Sequence, residues 1–210
     1  MSYDPIPDTN LAAVVTYLEM TAPPDGDRPS RARDCPLSLE RVRDPDPDEY
    51  RLLFRRVGSR WLWFSRLVMS DDELGSIIAD PNVALYKVVS GDAGEVGMLE
   101  LDFRAAGECE LAFVGLVPEL SGKGHGRWLL SRALELAWRE GVARVHVHTC
   151  SLDHPAALRA YEKAGFRAYR RAIERFADPR LRGILPVDCA PQVPLLGTDT
   201  LPPPPPDSCA

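Results

Sequence analysis

The chain has 210 residues, enough for one well-buried domain and too few for two ordinary ones, and 45% hydrophobic with 27% charged residues is the composition of a globular protein. Its formal net charge of −6 argues against a dedicated nucleic-acid binder, which needs a basic face to neutralise phosphates, and suits a cationic small-molecule or peptide partner. No apolar run is long enough to span a bilayer, residues 1–10 lack the basic-then-apolar pattern of a signal peptide, and a cytoplasmic location is expected.

In chain order, residues 1–10 read as a loose tail and residues 11–20 as a first strand, where Val14, Val15, Thr16 and Tyr17 supply β-branched and aromatic character. Residues 21–36, rich in Pro, Asp and Arg, predict a long loop. Tyr50, Leu53, Phe54 and Val57 recur at helical spacing over residues 48–57, and the aromatic cluster Trp61, Trp63 and Phe64 follows. Ser70 with Glu73 forms a capping box for a short helix carrying Leu74, Ile77 and Ile78. Residues 83–89 and 95–103 alternate as strands, and a turn at 105–107 leads into a hairpin partner over 108–117.

After glycines at 122, 124 and 126 a helix runs through Leu129, Leu130, Ala133, Leu134 and Ala137, with Gly141 placed to end it. Residues 142–149 predict a strand. A helix starting at Pro155 follows, capped by Asp153 or His154 and stopped at Gly165, and then a last strand over 166–176. Beyond Asp178 periodicity is lost and the chain ends in a polyproline run from Pro202, so residues 179–210 are expected to form a poorly ordered, solvated extension; the alternative reading is a ligand for an aromatic-groove domain. Cys35, Cys109, Cys150, Cys189 and Cys209 are odd in number and scattered, which fits reduced thiols and neither a disulfide framework nor a metal box. The fold class is α/β (α+β): one domain over residues 11–178, a mixed sheet with helices on both faces.

The stretch from Leu111 to Leu130 carries the most chemistry. Glycines at alternate positions let backbone pass close to a ligand and aim successive N–H groups at one spot. The helix that follows turns its positive dipole end to the same place, and Lys123, His125 and Arg127 add donors, so a diphosphate fits. Spacing excludes a P-loop, which needs Gly at Val117 and Ser or Thr at Gly124, and a dinucleotide fingerprint, which needs Gly at Arg127.

The strand followed by Pro118-Glu-Leu-Ser-Gly-Lys-Gly-His-Gly126 and a helix resembles the acetyl-CoA loop of the GNAT acetyltransferase superfamily. At the expected distance Asp153-His-Pro-Ala-Ala-Leu-Arg-Ala-Tyr161-Glu-Lys-Ala-Gly165-Phe166 resembles that family's second signature. The likeness is clear over residues 83–169, weaker back to residue 11, and does not cover the tail; Ser121 stands where the family usually has Arg or Gln, and the usual helix-start Asn is missing. The resemblance implies a GNAT-like, mostly antiparallel sheet and an acetyl-CoA-dependent N-acetyltransferase without a metal. It further implies that backbone groups of Val114 and Leu116 pair with the pantetheine arm, that Gly122, Lys123, Gly124, His125, Gly126 and Arg127 hold the diphosphate, and that Tyr161 lies beside the thioester. The acceptor is an amine left open by the sequence, a homodimer is compatible with it, and a catalytically silent acyl-CoA sensor or interaction module is the alternative.

Acetyl transfer to an amine needs a base for the ammonium, whose pKa is about 10.4, and a proton for the thiolate. Tyr161 is the acid candidate, because a phenol stays protonated at neutral pH; the alternative is a packed tyrosine bonded to backbone. Alternation puts Glu100 with Asp102, and Glu108 with Glu110, on common strand faces, so a wet acidic cleft is expected with Glu110 as the favoured base and His148 in reserve. The other reading is a set of solvated strand ends with Arg104 as counterion. His146, His148 and Cys150 also alternate on one face, but without a fourth ligand they point away from zinc. For the Trp61, Trp63 and Phe64 cluster, core packing is favoured over an acceptor pocket.

Overall fold

The computed structural model describes residues 4–24, 35–91 and 93–198. The strands are β1 (Asn10–Met20), β2 (Leu37–Arg41), β3 (Val83–Ser90), β4 (Gly94–Asp102), β5 (Glu108–Leu116), β6 (Arg144–Cys150) and β7 (Arg167–Ala177). The helices are α1 (Pro47–Gly58), α2 (Asp71–Ile78), α3 (His125–Ala137) and α4 (Ala157–Lys163). The strands form one sheet in the order β2-β3-β4-β5-β6-β1-β7. Every neighbouring pair is antiparallel except β5 and β6. No helix among the described residues is long and apolar enough to cross a membrane.

Local chemistry sets the helix boundaries. Asp46 accepts from the N–H groups of Asp48 and Glu49, with Pro47 in the first turn, and α1 then buries Tyr50, Leu53, Phe54 and Val57. Ser70 and Glu73 close the expected capping box on α2. The face of β4 and β5 bearing Glu100 and Phe113 is covered by α1, for Tyr50 bonds Glu100 and Phe54 meets Phe113 edge-on. This approach is close: a Cβ on Gly115 would lie 2.5 Å from Val57 and 3.0 Å from Trp63, so only glycine fits there. Helix α3 packs against the same two strands, and the unbroken burial of β4 from Val96 to Leu101 shows cover on both faces. The main core gathers residues such as Leu18, Val88, Leu99, Leu129 and Val145.

Several expectations need correction. Strand β2 has no counterpart among the expected elements; it is five residues long, lies at the sheet edge and has one buried side chain, Leu37. Helix α3 ends at Ala137, and Gly141, expected to end it, has φ 86° in the turn before β6. Helix α4 starts at Ala157 rather than Pro155; of the two expected caps, the Asp153 carboxylate is bound by Trp63, Thr149 and the Cys150 N–H, whereas His154 Nδ1 accepts from the Ala156 N–H at 3.1 Å just before the helix.

The expected disorder after Asp178 is corrected for residues 179–198. Arg180 is 2% exposed, ion-paired to Asp178 and bonded to the carbonyls of Ala190, Val193 and Pro194. Leu185 and Ala190 join Leu62 in a second small core. The polyproline run, most of the predicted loop over residues 21–36, and Cys209 lie outside the described residues. Cys35, Cys109, Cys150 and Cys189 are free thiols.

Candidate active site

Strands β5 and β6 pair only through Glu108↔Arg144, Cys109↔Val145 and Glu110↔His146. Beyond these levels β5 continues to Leu116 and β6 to Cys150 without pairing to each other, and the sheet opens as a wedge. A cavity of about 1360 Å³ occupies it, with residues 111–116 of β5, the glycine loop, α4 and the end of β6 on its walls. The Val117 N–H bonds Val96 O at 2.9 Å on the β4 side, so strand alternation turns the backbone groups of Val114 and Leu116 toward the wedge.

The glycine loop forms one rim. Gly122 has φ 77° and Gly124 φ 83°, left-handed values that L side chains resist. Gly124 caps α3 without a side-chain hydrogen bond, and although the Arg127 N–H bonds Gly124 O, the His125 and Gly126 N–H groups have no partner among the described residues and are available to a ligand. A Cβ at Gly122, Gly124 or Gly126 would meet nothing within 4 Å, so this cradle is open rather than packed. Of the loop residues predicted to hold a diphosphate, Gly122, Gly124, Gly126 and Arg127 line the cavity; Lys123 and His125 do not. The His125 ring instead lies 3.6 Å from the Cys35 thiol. Arg159 and Lys163 of α4 add cations to the wall that sequence reasoning missed. Their four-residue spacing around Tyr161 was the available signal. The cradle, its free N–H groups and these cations fit the anionic end of acetyl-CoA.

Glu110, His148 and Tyr161 also line this cavity. Glu110 lies 3.3 Å from His148. That hydrogen bond holds the carboxyl of Glu110 below its ordinary range and raises the imidazole of His148 above its own, against the opposing effect of burial in each case. Burial, and then the charge of Asp153, push the Tyr161 phenol well up, so it remains a proton carrier at neutral pH. Its hydroxyl makes no hydrogen bond among the described residues, while its ring meets Phe166 edge-on.

The wet acidic cleft is only partly present. Glu100 is fully buried, bonded by Tyr50 and Arg66, so it is not available as a base. Asp102 is held by Arg104, the counterion expected for a solvated strand end. Glu108 is bound by Arg144 and lies 3.5 Å from His146. Both histidines of the possible chelate thus face glutamates. Burial raises the Cys150 thiol to about 11, which keeps it protonated and makes it a poor nucleophile. Trp63 packs on Phe54 and Phe113 and also lines the cavity; Trp61 and Phe64 line the cavity too, against His154 and Phe176.

The model of the acetyltransferase (GNAT) family matches residues 45–166, more than half of the chain. No curated protein matches it. Among solved structures, a GCN5-related N-acetyltransferase from Sphaerobacter thermophilus superposes with a TM-score of 0.57 at 19% identity over 79% of this chain. A putative acetyltransferase from the GNAT family of Novosphingobium aromaticivorans does so with 0.53 at 20% identity over 80% of this chain. The chain spans 52% of the first protein's length and 66% of the second's. An aminoglycoside acetyltransferase from an uncultured soil metagenomic sample, solved in complex with sisomicin, matches with 0.52 at 15% identity over 66% of this chain and 93% of its own. At these identities the likeness establishes the fold.

Proposed function

Because this chain belongs to the GNAT acetyltransferase family, we propose that it passes an acetyl group from acetyl-CoA directly to an amine, with Tyr161 as acid and the Glu110–His148 pair as base. The observation that carries this reading is the wedge, since one cavity is lined by the glycine cradle, the turned-out backbone of Val114 and Leu116, Tyr161, Glu110 and His148. Acetyl-CoA, when bound, supplies a thioester already activated for acyl transfer.

The chain's own groups do the rest. Backbone at Val114 and Leu116 pairs with the pantetheine amides as an added strand would. The N–H groups at the start of α3, with Arg127, Arg159 and Lys163, hold the phosphates. Glu110 and Glu174, both on the cavity wall, attract the ammonium form of the acceptor. Neutral His148, oriented by Glu110, takes the ammonium proton, so that the amine nitrogen bonds the acetyl carbon as the carbon–sulfur bond breaks; Tyr161 donates its hydroxyl proton to the departing sulfur and is reprotonated by the second proton that the nitrogen sheds on becoming an amide. The cytosol is the proposed location.

The test is a panel of amines that includes aminoglycosides, polyamines, amino acids and peptide N-termini, incubated with acetyl-CoA and read by release of free thiol. One class is expected to release thiol above the hydrolysis background. Tight CoA binding with no amine-dependent release from any class would replace the enzyme by an acyl-CoA sensor.

A further inference from the structure

Leu62 is the one non-glycine residue with positive φ among the described residues, at φ 57° and ψ 33°. A leucine pays sterically for this conformation and adopts it only where its surroundings impose it. Those surroundings are identifiable: Leu62 is 3% exposed in a small core with Leu185 and Ala190, residues contributed by the segment after β7.

That segment is pinned at both ends. Arg180 is its lock: Nε and Nη2 donate to Asp178 at 3.0 and 2.7 Å, and Nη1 donates to Val193 O at 2.9 Å and Ala190 O at 3.4 Å. All three nitrogens of the fork are used, which no lysine can reproduce. On the other side, Arg55 donates to Ile184 O, and Gln192 Nε2 donates to Arg60 O at 2.6 Å. The segment is therefore tied to the end of α1 and to the turn that precedes Leu62.

The residues flanking Leu62 line the cavity. Trp61 meets the His154 ring at 5.0 Å between centroids, and Trp63 Nε1 donates to Asp153 at 3.1 Å. Asp153 and His154 lie just before α4, the helix that carries Tyr161. A contact path thus runs from Arg180 through the small core and Leu62 to the two tryptophans and the start of α4.

We propose that residues 178–198 are a strap that sets the acceptor-side wall of the cavity, with Arg180 as the positioning residue that locks the strap and Leu62 as the contact through which it acts. The wall's being the acceptor's rests on the acetyl-transfer reading; the strap itself rests only on packing.

The test uses the full chain carrying Trp128→Phe and Trp138→Phe, so that only Trp61 and Trp63 emit. Leu185→Ala and Arg180→Lys are each expected to raise acrylamide quenching of that emission by about twofold or more, while the Kd for CoA stays within about twofold. Leu185→Met, which keeps the volume, is expected to restore the parent quenching. With an amine that the panel finds to be turned over, the strap variants raise the acceptor KM by about fivefold or more and leave the acetyl-CoA KM unchanged. Unchanged quenching in a folded Leu185→Ala overturns the strap, and so does a loss of CoA affinity as large as the gain in quenching, which indicates general loosening. Should Arg180→Lys not fold, Leu185→Ala decides. Should no amine be turned over, the acetyl-transfer reading fails while quenching still decides the strap.

Discussion

Tyr161 combines a hydroxyl that no described residue engages with a pKa raised by burial and by Asp153, and both properties suit a donor that waits for a thiolate. Tyr161→Phe keeps the ring against Phe166 and removes only the hydroxyl. The Kd for CoA is expected to hold while kcat falls by about 10- to 10³-fold; the lower end is realistic because a thiolate of pKa about 8.5 leaves fairly well unaided. Wild-type kcat in the folded variant removes Tyr161 from the mechanism. The neighbouring pair makes a prediction in pH. His148 sits above its ordinary 6.5 because Glu110 binds its protonated form, and only the neutral form accepts a proton. Activity therefore rises as pH rises through that elevated value. Glu110→Gln removes the bond and charge that raise His148, so the acid limb moves to lower pH, and His148→Gln abolishes the limb. Were Glu110 itself the base, the limb would lie below the carboxyl's ordinary 4.5, since its shift is downward. The pH profiles of kcat/KM for the three proteins decide between the two.

Among the elements, the glycine loop is where conformation and ligand binding can be separated. Gly124→Ala adds a Cβ that meets no neighbour yet must take φ 83°, so it is expected to cost about 1 kcal/mol of stability by thermal or urea unfolding. Gly124→Asp carries the same backbone strain plus a negative charge at the start of α3, and its CoA affinity should fall at least about tenfold below that of Gly124→Ala. Equal affinities for the two variants mean that no anion approaches Gly124. Most of this was legible in sequence, because a turn-glycine pattern and a helix start follow from local chemistry. The elements that were not legible took their form from distant partners. Asp153 could cap α4 by its position in sequence, but Trp63, ninety residues away, and Thr149 claim the carboxylate first. Glu100 alternates like a cleft residue, yet Tyr50 and Arg66 converge to bury it. Residues 179–198 have no periodicity to read, since a buried guanidinium bonded to scattered carbonyls orders them rather than a repeating apolar face.

For the molecule as a whole, the decisive feature is a sheet whose two parallel strands pair at three levels and then part. Backbone groups along the open part of β5 gain hydrogen bonds from any extended amide chain that enters the wedge, and the cavity runs from there to the glycine cradle and α4. A ligand that fills both regions binds the folded chain and not the unfolded one, so it must raise the melting temperature by mass action. CoA at a hundred times its Kd is worth about 2.7 kcal/mol, or a rise of about 5–10 °C for a domain of this size. ATP has the polyphosphate but no amide arm, and NAD has the diphosphate but not the arm. Each can meet only the cradle, and at the same concentration each is expected to shift the midpoint by no more than about 1 °C. Comparing CoA with ATP and with pantetheine separates the two contact regions: pantetheine tests the strand edge alone, ATP the cradle alone. If ATP stabilises as much as CoA does, the strand edge contributes nothing, and the wedge between β5 and β6 is a feature of the fold rather than the binding site of a thioester.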